Sequence, residues 1–154
     1  MIALINGVSG SSVSVKDRGL LYGDGAFETI ALRNRQLVLL KPHLERLKKA
    51  CTLLRLPFAQ ATIEADLKVL LQAAANDGIC KIIITRGESG RGYRAEPEAA
   101  ATRIVQFFEA PPQQELHKGI TAGLSTHRLG ESAQFSGLKH LNRLDQVMAS
   151  FDLA

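Results

Sequence analysis

At 154 residues, with 45% hydrophobic and 22% charged side chains, the chain has the balance of a soluble globular protein, long enough for one domain and the start of another, which excludes disorder. The net charge of +4 is spread along the chain apart from Lys48-Lys49, and with no Trp and two Tyr there is no stacking platform, so a nucleic-acid partner is discounted. No apolar run approaches the ~18 residues of a membrane span, the start lacks the pattern of a signal peptide, and Cys51 and Cys80 read as buried free thiols; the expectation is a cytoplasmic protein with no membrane partner.

The opening alternates strand-like runs with turn residues: Ala3 to Ile5, a hairpin turn at Asn6-Gly7, then Val13 to Val15. Asp17 to Thr29 carries three glycines between Gly19 and Gly25, which implies tight turns or close approach of the main chain to something else. A strand from Ala26 to Arg33 turns at Asn34-Arg35 and returns as Gln36 to Leu40. Pro42 fits the first turn of a helix whose Leu44, Leu47, Cys51 and Leu54 keep helical spacing until Pro57 ends it. A second helix is capped by Thr62, turns Ile63, Leu67, Leu70 and Leu71 inward, and stops at Gly78.

The Ile-rich run Ile79 to Thr85 reads as a buried strand, followed by the glycine-rich, basic loop Arg86 to Arg94 and a strand from Thr102 to Phe108. Residues 1–108 therefore predict a small α+β domain, a two-layer sandwich of strands covered by two helices. Residues 109–117, polar with paired prolines, read as a linker. Beyond them Gly119 to Thr126 alternates like a strand, and Leu141, Leu144, Met148 and Phe151 space an amphipathic helix with one buried face that runs to Ala154. Residues 118–154 thus read as the beginning of a second, larger domain that is incomplete.

Lys139 falls at or just before the start of that last helix, where the positive helix pole favours the neutral, nucleophilic amine; position alone leaves an ordinary solvated lysine as the alternative. His43, His117, His127 and His140 show no metal-ligand spacing, so no metal is assigned, and there is neither a serine-nucleophile elbow nor a nucleotide phosphate loop.

Three stretches exceed what a plain core requires: Asp17-Arg18-Gly19-Leu20-Leu21-Tyr22-Gly23-Asp24-Gly25-Ala26-Phe27-Glu28-Thr29, His43-Leu44-Glu45-Arg46-Leu47, and Gly137-Leu138-Lys139-His140-Leu141-Asn142-Arg143-Leu144-Asp145-Gln146-Val147. Together with Gly90-Arg91-Gly92-Tyr93 they resemble, in family order, the fold-type IV pyridoxal-phosphate enzymes, which comprise branched-chain and D-amino-acid transaminases and 4-amino-4-deoxychorismate lyase; the Lys139 stretch is most similar to the lyase. The resemblance implies that Lys139 is the catalytic residue carrying pyridoxal 5'-phosphate and that Arg46 binds its phosphate. A planar guanidinium suits phosphate oxygens, and a cofactor lysine must sit on a rigid element and be able to lose its proton.

The resemblance also implies a substrate pocket with Arg91 and Tyr93 on its loop and with Asn142 and Arg143 within reach of an anionic group; a capping or solvated role for the last two is an equal alternative. Phe27 stands where D-amino-acid transaminases carry a tyrosine, which argues against transaminase chemistry. Asp24 and Glu28 read as structural. The implied reaction is loss of pyruvate from 4-amino-4-deoxychorismate to give 4-aminobenzoate, a folate precursor, in a homodimer; the alternatives are an aminotransferase of branched-chain or D-amino acids and an inert truncated module. Relatives continue into a larger domain that supplies the acidic partner of the pyridine nitrogen, so activity of the 154-residue chain alone is left open.

Overall fold

In the computed structural model, which describes residues 2–96, 99–110, 119, 121–130 and 134–153, the apolar runs assemble into one antiparallel sheet. Strand β1 (Ile2–Ile5) turns at Asn6 and Gly7, both at positive φ, and returns at once as β2 (Val8–Ser9). No strand forms at Val13 to Val15, because the two-residue turn sets Val8 opposite Ile5 and the short pairing is over before Val13 is reached. The glycine-rich segment holds more than turns: a five-residue helix, α1 (Arg18–Tyr22), starts where the Asp17 carboxylate accepts the Gly19 N–H at 2.8 Å and ends at Gly23, whose φ of 65° suits glycine.

Strand β3 (Gly25–Arg33) reverses at Asn34 and Arg35, at φ 47° and 61°, into β4 (Gln36–Leu37). The return strand expected to reach Leu40 stops early because Leu39 is left-handed and α2 (Leu40–Leu53) begins immediately after it. Pro42 lies in the first turn of α2, and Leu44, Leu47 and Cys51 are buried as their spacing predicts. The second helix, α3 (Gln60–Ala73), starts before Thr62, which lies within it; Ala59 holds the cap position without a side-chain bond, and Gln60 instead donates to Glu64 one turn on at 2.8 Å. It ends before Gly78, since Ala74 is already extended and Gly78 opens β5 (Gly78–Thr85).

With β6 (Thr102–Glu109) the sheet order is β2-β1-β6-β5-β3-β4. Helix α2 lies against β3, and α3 against β6 and β1, so the α+β two-layer arrangement expected from the sequence is the one formed. Alternation along β3 turns Ala26, Glu28, Ile30 and Leu32 toward the helices, where they meet Leu47, Ile63, Leu67, Leu70, Cys80, Ile82 and Val105 in one core. The opposite side of the sheet carries Phe27 paired with Ile83 and Thr29 paired with Lys81, all without a helix over them.

The C-terminal segment differs most from expectation. Helix α4 (Leu144–Ser150) begins three residues after Leu141 and passes into a 3-10 turn (Phe151–Leu153); Ala154 lies outside the described residues. Leu141 stays outside the helix because residues 139–141 are laid along β3 in an antiparallel bridge, with the Leu141 N–H on the Gly25 carbonyl at 3.0 Å. The apolar face of α4 is not buried: Leu144, Met148 and Phe151 are all exposed. Residues 119 and 121–126 form no strand; there the Asp152 carboxylate gathers the Ser125 hydroxyl and the Thr126 N–H, each at 2.7 Å. Residues 111–117 of the expected linker lie outside the described residues. Among the described residues no helix is long and apolar enough to cross a membrane.

Candidate active site

Lys139 is held by a strand edge. The segment 139–141 lies antiparallel to the start of β3: the Phe27 N–H donates to the Lys139 carbonyl at 3.0 Å, Leu141 donates to Gly25, and Ala26 faces His140 in a single bridge. Two glycines make this approach possible. A Cβ on Gly25 would stand 2.6 Å from Leu141 Cδ1 and 2.5 Å from the Ile84 carbonyl, and one on Gly23 would collide with Asn142, whose Nδ2 donates to the Gly23 carbonyl at 3.1 Å. The glycine-rich motif is therefore the seat of the Lys139 segment.

The bridge aims the Lys139 side chain across the Phe27 ring, with Nζ 4.5 Å from the ring centre. Lys81 reaches the same ring from β5, at 5.2 Å, and Arg143 at 5.3 Å. Arg143 is braced by its own segment, donating from Nε to the His140 carbonyl at 2.9 Å and from Nη2 to that of Leu138 at 3.3 Å. Burial pushes the Lys139 amine below its usual range; Glu28 opposes this, while Arg143, Arg46 and Lys81 add to it. The cause is desolvation and neighbouring cations rather than a helix pole, since α4 starts five residues later.

Glu28 organises the other half of the site. Its carboxylate has no exposed surface and accepts from Arg46 Nε at 2.5 Å and Arg46 Nη2 at 2.7 Å, with His43 Nδ1 at 2.8 Å. Burial alone would raise this carboxyl, but the bonds from Arg46 and His43 outweigh it and hold the group below its ordinary value. Arg46 is thereby fixed on α2 with its side chain half exposed, and its Nη1 has no hydrogen-bond partner among the described residues. Glu28 thus braces Arg46 and His43 on α2.

Lys81, Lys139 and Arg143 thus gather over the Phe27 ring on one side of the sheet, while Glu28 fixes Arg46 on the helix side, and both groups bear on the charge of Lys139. This donor set fits an anionic ligand bearing a phosphate and a carbonyl: guanidinium for the first, a desolvated amine for the second. Arg91 and Tyr93 lie apart. They belong to a loop held by Arg18 and Tyr22, and among the described residues no hydrogen bond, ion pair or ring contact joins them to Lys139, Arg46 or Phe27. Asn142 serves the docking of its segment, as described.

Sequence reasoning missed Lys81 as a site residue and undervalued Glu28. The signals were present: Glu28 shares strand parity with Ala26, Ile30 and Leu32, and Lys81 is a cation inside an isoleucine run. On the far side of the Lys139 segment an open hollow of about 540 Å³ is bordered by Leu138, His140, Arg143 and Asp145 but not by Lys139. His140 Nδ1 is buried there without a partner among the described residues, and burial with the nearby Arg143 lowers its proton affinity.

The two-layer α+β fold with its six-stranded antiparallel sheet is that of the fold-type IV enzymes. The amino-transferase class IV family matches residues 25–153, and the chain belongs to that family. It is 31% identical over 153 residues to an aminodeoxychorismate lyase of Vibrio harveyi, covering 97% of this chain and 56% of that protein. A D-alanine aminotransferase of Bacillus licheniformis is 31% identical over 117 residues, 72% of this chain and 41% of the relative. The crystal structure of 4-amino-4-deoxychorismate lyase from Pseudomonas aeruginosa superposes with a TM-score of 0.92 at 40% identity, covering 99% of this chain and 57% of that one. The chain thus spans about half the length of the relatives it matches.

Proposed function

We propose that this chain is the cofactor-anchoring part of a pyridoxal 5'-phosphate-dependent lyase that converts 4-amino-4-deoxychorismate to 4-aminobenzoate and pyruvate, a step of folate biosynthesis. The observation that carries the reading is the Lys139 amine over the Phe27 ring, with Lys81 and Arg143 reaching the same ring. In this reading residues 1–108 are the small domain and residues 118–154 the opening of the larger cofactor domain, joined by residues 109–117, and the protein works as a cytoplasmic homodimer.

Arg46 would hold the phosphate through the part of its guanidinium not committed to Glu28, and Lys139 would carry the cofactor covalently. When bound, pyridoxal phosphate supplies an electron sink conjugated to the amine-bearing carbon of the substrate. With the cofactor in place, Lys139 Nζ would serve as the base that takes the proton from that carbon and, once protonated, as the acid that returns one to the departing enolpyruvyl group. Lys81 and Arg143 receive the substrate carboxylates on the Phe27 side. Arg91 and Tyr93 add to the substrate pocket from their loop, with Asn142 near its mouth.

The aminotransferase reading has relatives in its favour, but Phe27 offers a ring face with three cations over it and no hydroxyl for proton transfer, which supports the lyase. Incubation with 4-amino-4-deoxychorismate alone should release pyruvate, and borohydride treatment of the pyridoxal-phosphate-loaded chain should leave a stable adduct on the Lys139 peptide. Lys139→Ala should abolish both. Substantial turnover by that variant, or an adduct on another lysine, sinks the assignment; amino transfer between an amino acid and a keto acid without pyruvate release establishes the rival; a folded chain with neither adduct nor turnover establishes the inert module.

A further inference from the structure

We infer that Arg18 is a positioning residue that latches the Arg91-Gly92-Tyr93 loop into place, so that the glycine-rich motif that seats Lys139 also sets the substrate loop. The inference rests on the proposed substrate role of Arg91 and Tyr93. Arg18 is 3% exposed, unusual for an arginine in so short a helix, and every group around it is accounted for. Its Nε donates to Asp24 at 2.9 Å, Nη1 to the Gly92 carbonyl at 2.9 Å and Nη2 to the Tyr93 carbonyl at 2.8 Å.

The guanidinium also lies over the Tyr22 ring, 4.8 Å from its centre, and Tyr22 meets Tyr93 edge to face at 5.6 Å. The Arg18 N–H donates to the Gly87 carbonyl at 2.9 Å, and Asp17 bridges Glu88 at the root of the same loop. Asp24, the anchor of the latch, is itself gripped by Arg86, at 2.7 Å from Nε and 3.0 Å from Nη2. Arg86 continues to the Leu54 and Arg55 carbonyls at the end of α2.

Tyr22 adds one further bond, its hydroxyl accepting the Gly92 N–H at 3.4 Å, and Thr85 accepts the Gly87 N–H at the root of the loop at 3.0 Å, but the side chains at the loop's tip stand in solvent. Tyr93 is 89% exposed and Arg91 is exposed, with glycines at 87, 90 and 92. Two main-chain carbonyls facing inward need a buried donor that reaches both at once, and a planar fork does this where a single ammonium does not. Arg18 thus connects the loop, through Asp24 and Gly23, to the Asn142 end of the Lys139 segment.

The test uses the full chain with Arg18→Lys and Arg18→Ala. Trypsin cleavage after Arg91 and Arg94, followed by mass spectrometry, reads the loop without turnover. The expected result is cleavage there about tenfold faster in Arg18→Lys, KM for 4-amino-4-deoxychorismate raised about tenfold, and kcat and pyridoxal-phosphate affinity within about threefold of wild type. Arg18→Ala should show the same pattern more strongly; if it does not fold, Arg18→Lys decides. Wild-type cleavage rates in a folded variant overturn the inference, as does a loss of cofactor affinity that matches the rise in KM. If the wild-type chain releases no pyruvate, the proposed reaction fails while the cleavage rates still decide the latch.

Discussion

Glu28→Gln tests whether the buried carboxylate is what holds Arg46 in place. The substitution keeps size and removes charge. Of the three bonds now made to Glu28, an amide oxygen in the place of Oε2 can keep the two from His43 and Arg46 Nη2, and the amide NH₂ then faces the Arg46 Nε donor. Each charge-assisted bond is worth about 1.5–3 kcal/mol net, and Arg46, half exposed, can turn to water and recover part of the loss. The expected destabilisation is about 2–3 kcal/mol, or roughly 5–10 °C in Tm for a chain of this size. Because the folded carboxyl lies below its unfolded value, its stabilisation is present above that unfolded value and disappears as the pH falls through the folded one. Urea unfolding should therefore show the full gap between wild type and variant at neutral pH, closing below pH ~4. A gap under ~0.5 kcal/mol at neutral pH, the scatter of ordinary surface substitutions, or one that persists unchanged in acid, would refute the reasoning.

Two further substitutions probe the Lys139 segment and its electrostatics. Gly23→Ala forces a Cβ into Asn142 at a backbone φ of 65°, and should cost about 1–2 kcal/mol in thermal unfolding while lowering the yield of borohydride-trapped Lys139; unchanged stability would mean that Asn142 moves aside freely. Lys81→Met removes one of the cations that disfavour protonated Lys139, so the pH at which half of Lys139 is trapped with pyridoxal phosphate should rise. An unchanged trapping midpoint would place Lys81 outside the field felt by Lys139.

The sheet and its two covering helices were legible because β3 alternates, β5 is an isoleucine run and α2 keeps Leu44, Leu47 and Cys51 on one face. Element ends were less so. Leu39 and Arg55 adopt left-handed conformations that no glycine announces, and α1 is too short to show a period. Lys139 and Arg46 stood out through their motifs, but the cause of the lysine's lowered proton affinity did not, because it depends first on burial and then on cations that include Arg46 and Lys81 from distant parts of the chain. The late start of α4 was hidden for the same reason: the spacing of Leu141 with Leu144 and Met148 is helical, and only its bond to Gly25 withdraws it.

The bridge between Ala26 and His140 ties fidelity of chemistry to fidelity of register. Side chains alternate across a strand edge, so a slip of one residue would swing Lys139 away from Phe27 and present an imidazole in its stead. Phe27 and Lys139 stand far apart in the sequence, so this pairing is a long-range contact of the kind that closes slowly. A chain frozen one residue out of step would be a folded protein whose Lys139 faces away from Phe27, and with the cofactor role proposed for that lysine it would form no adduct.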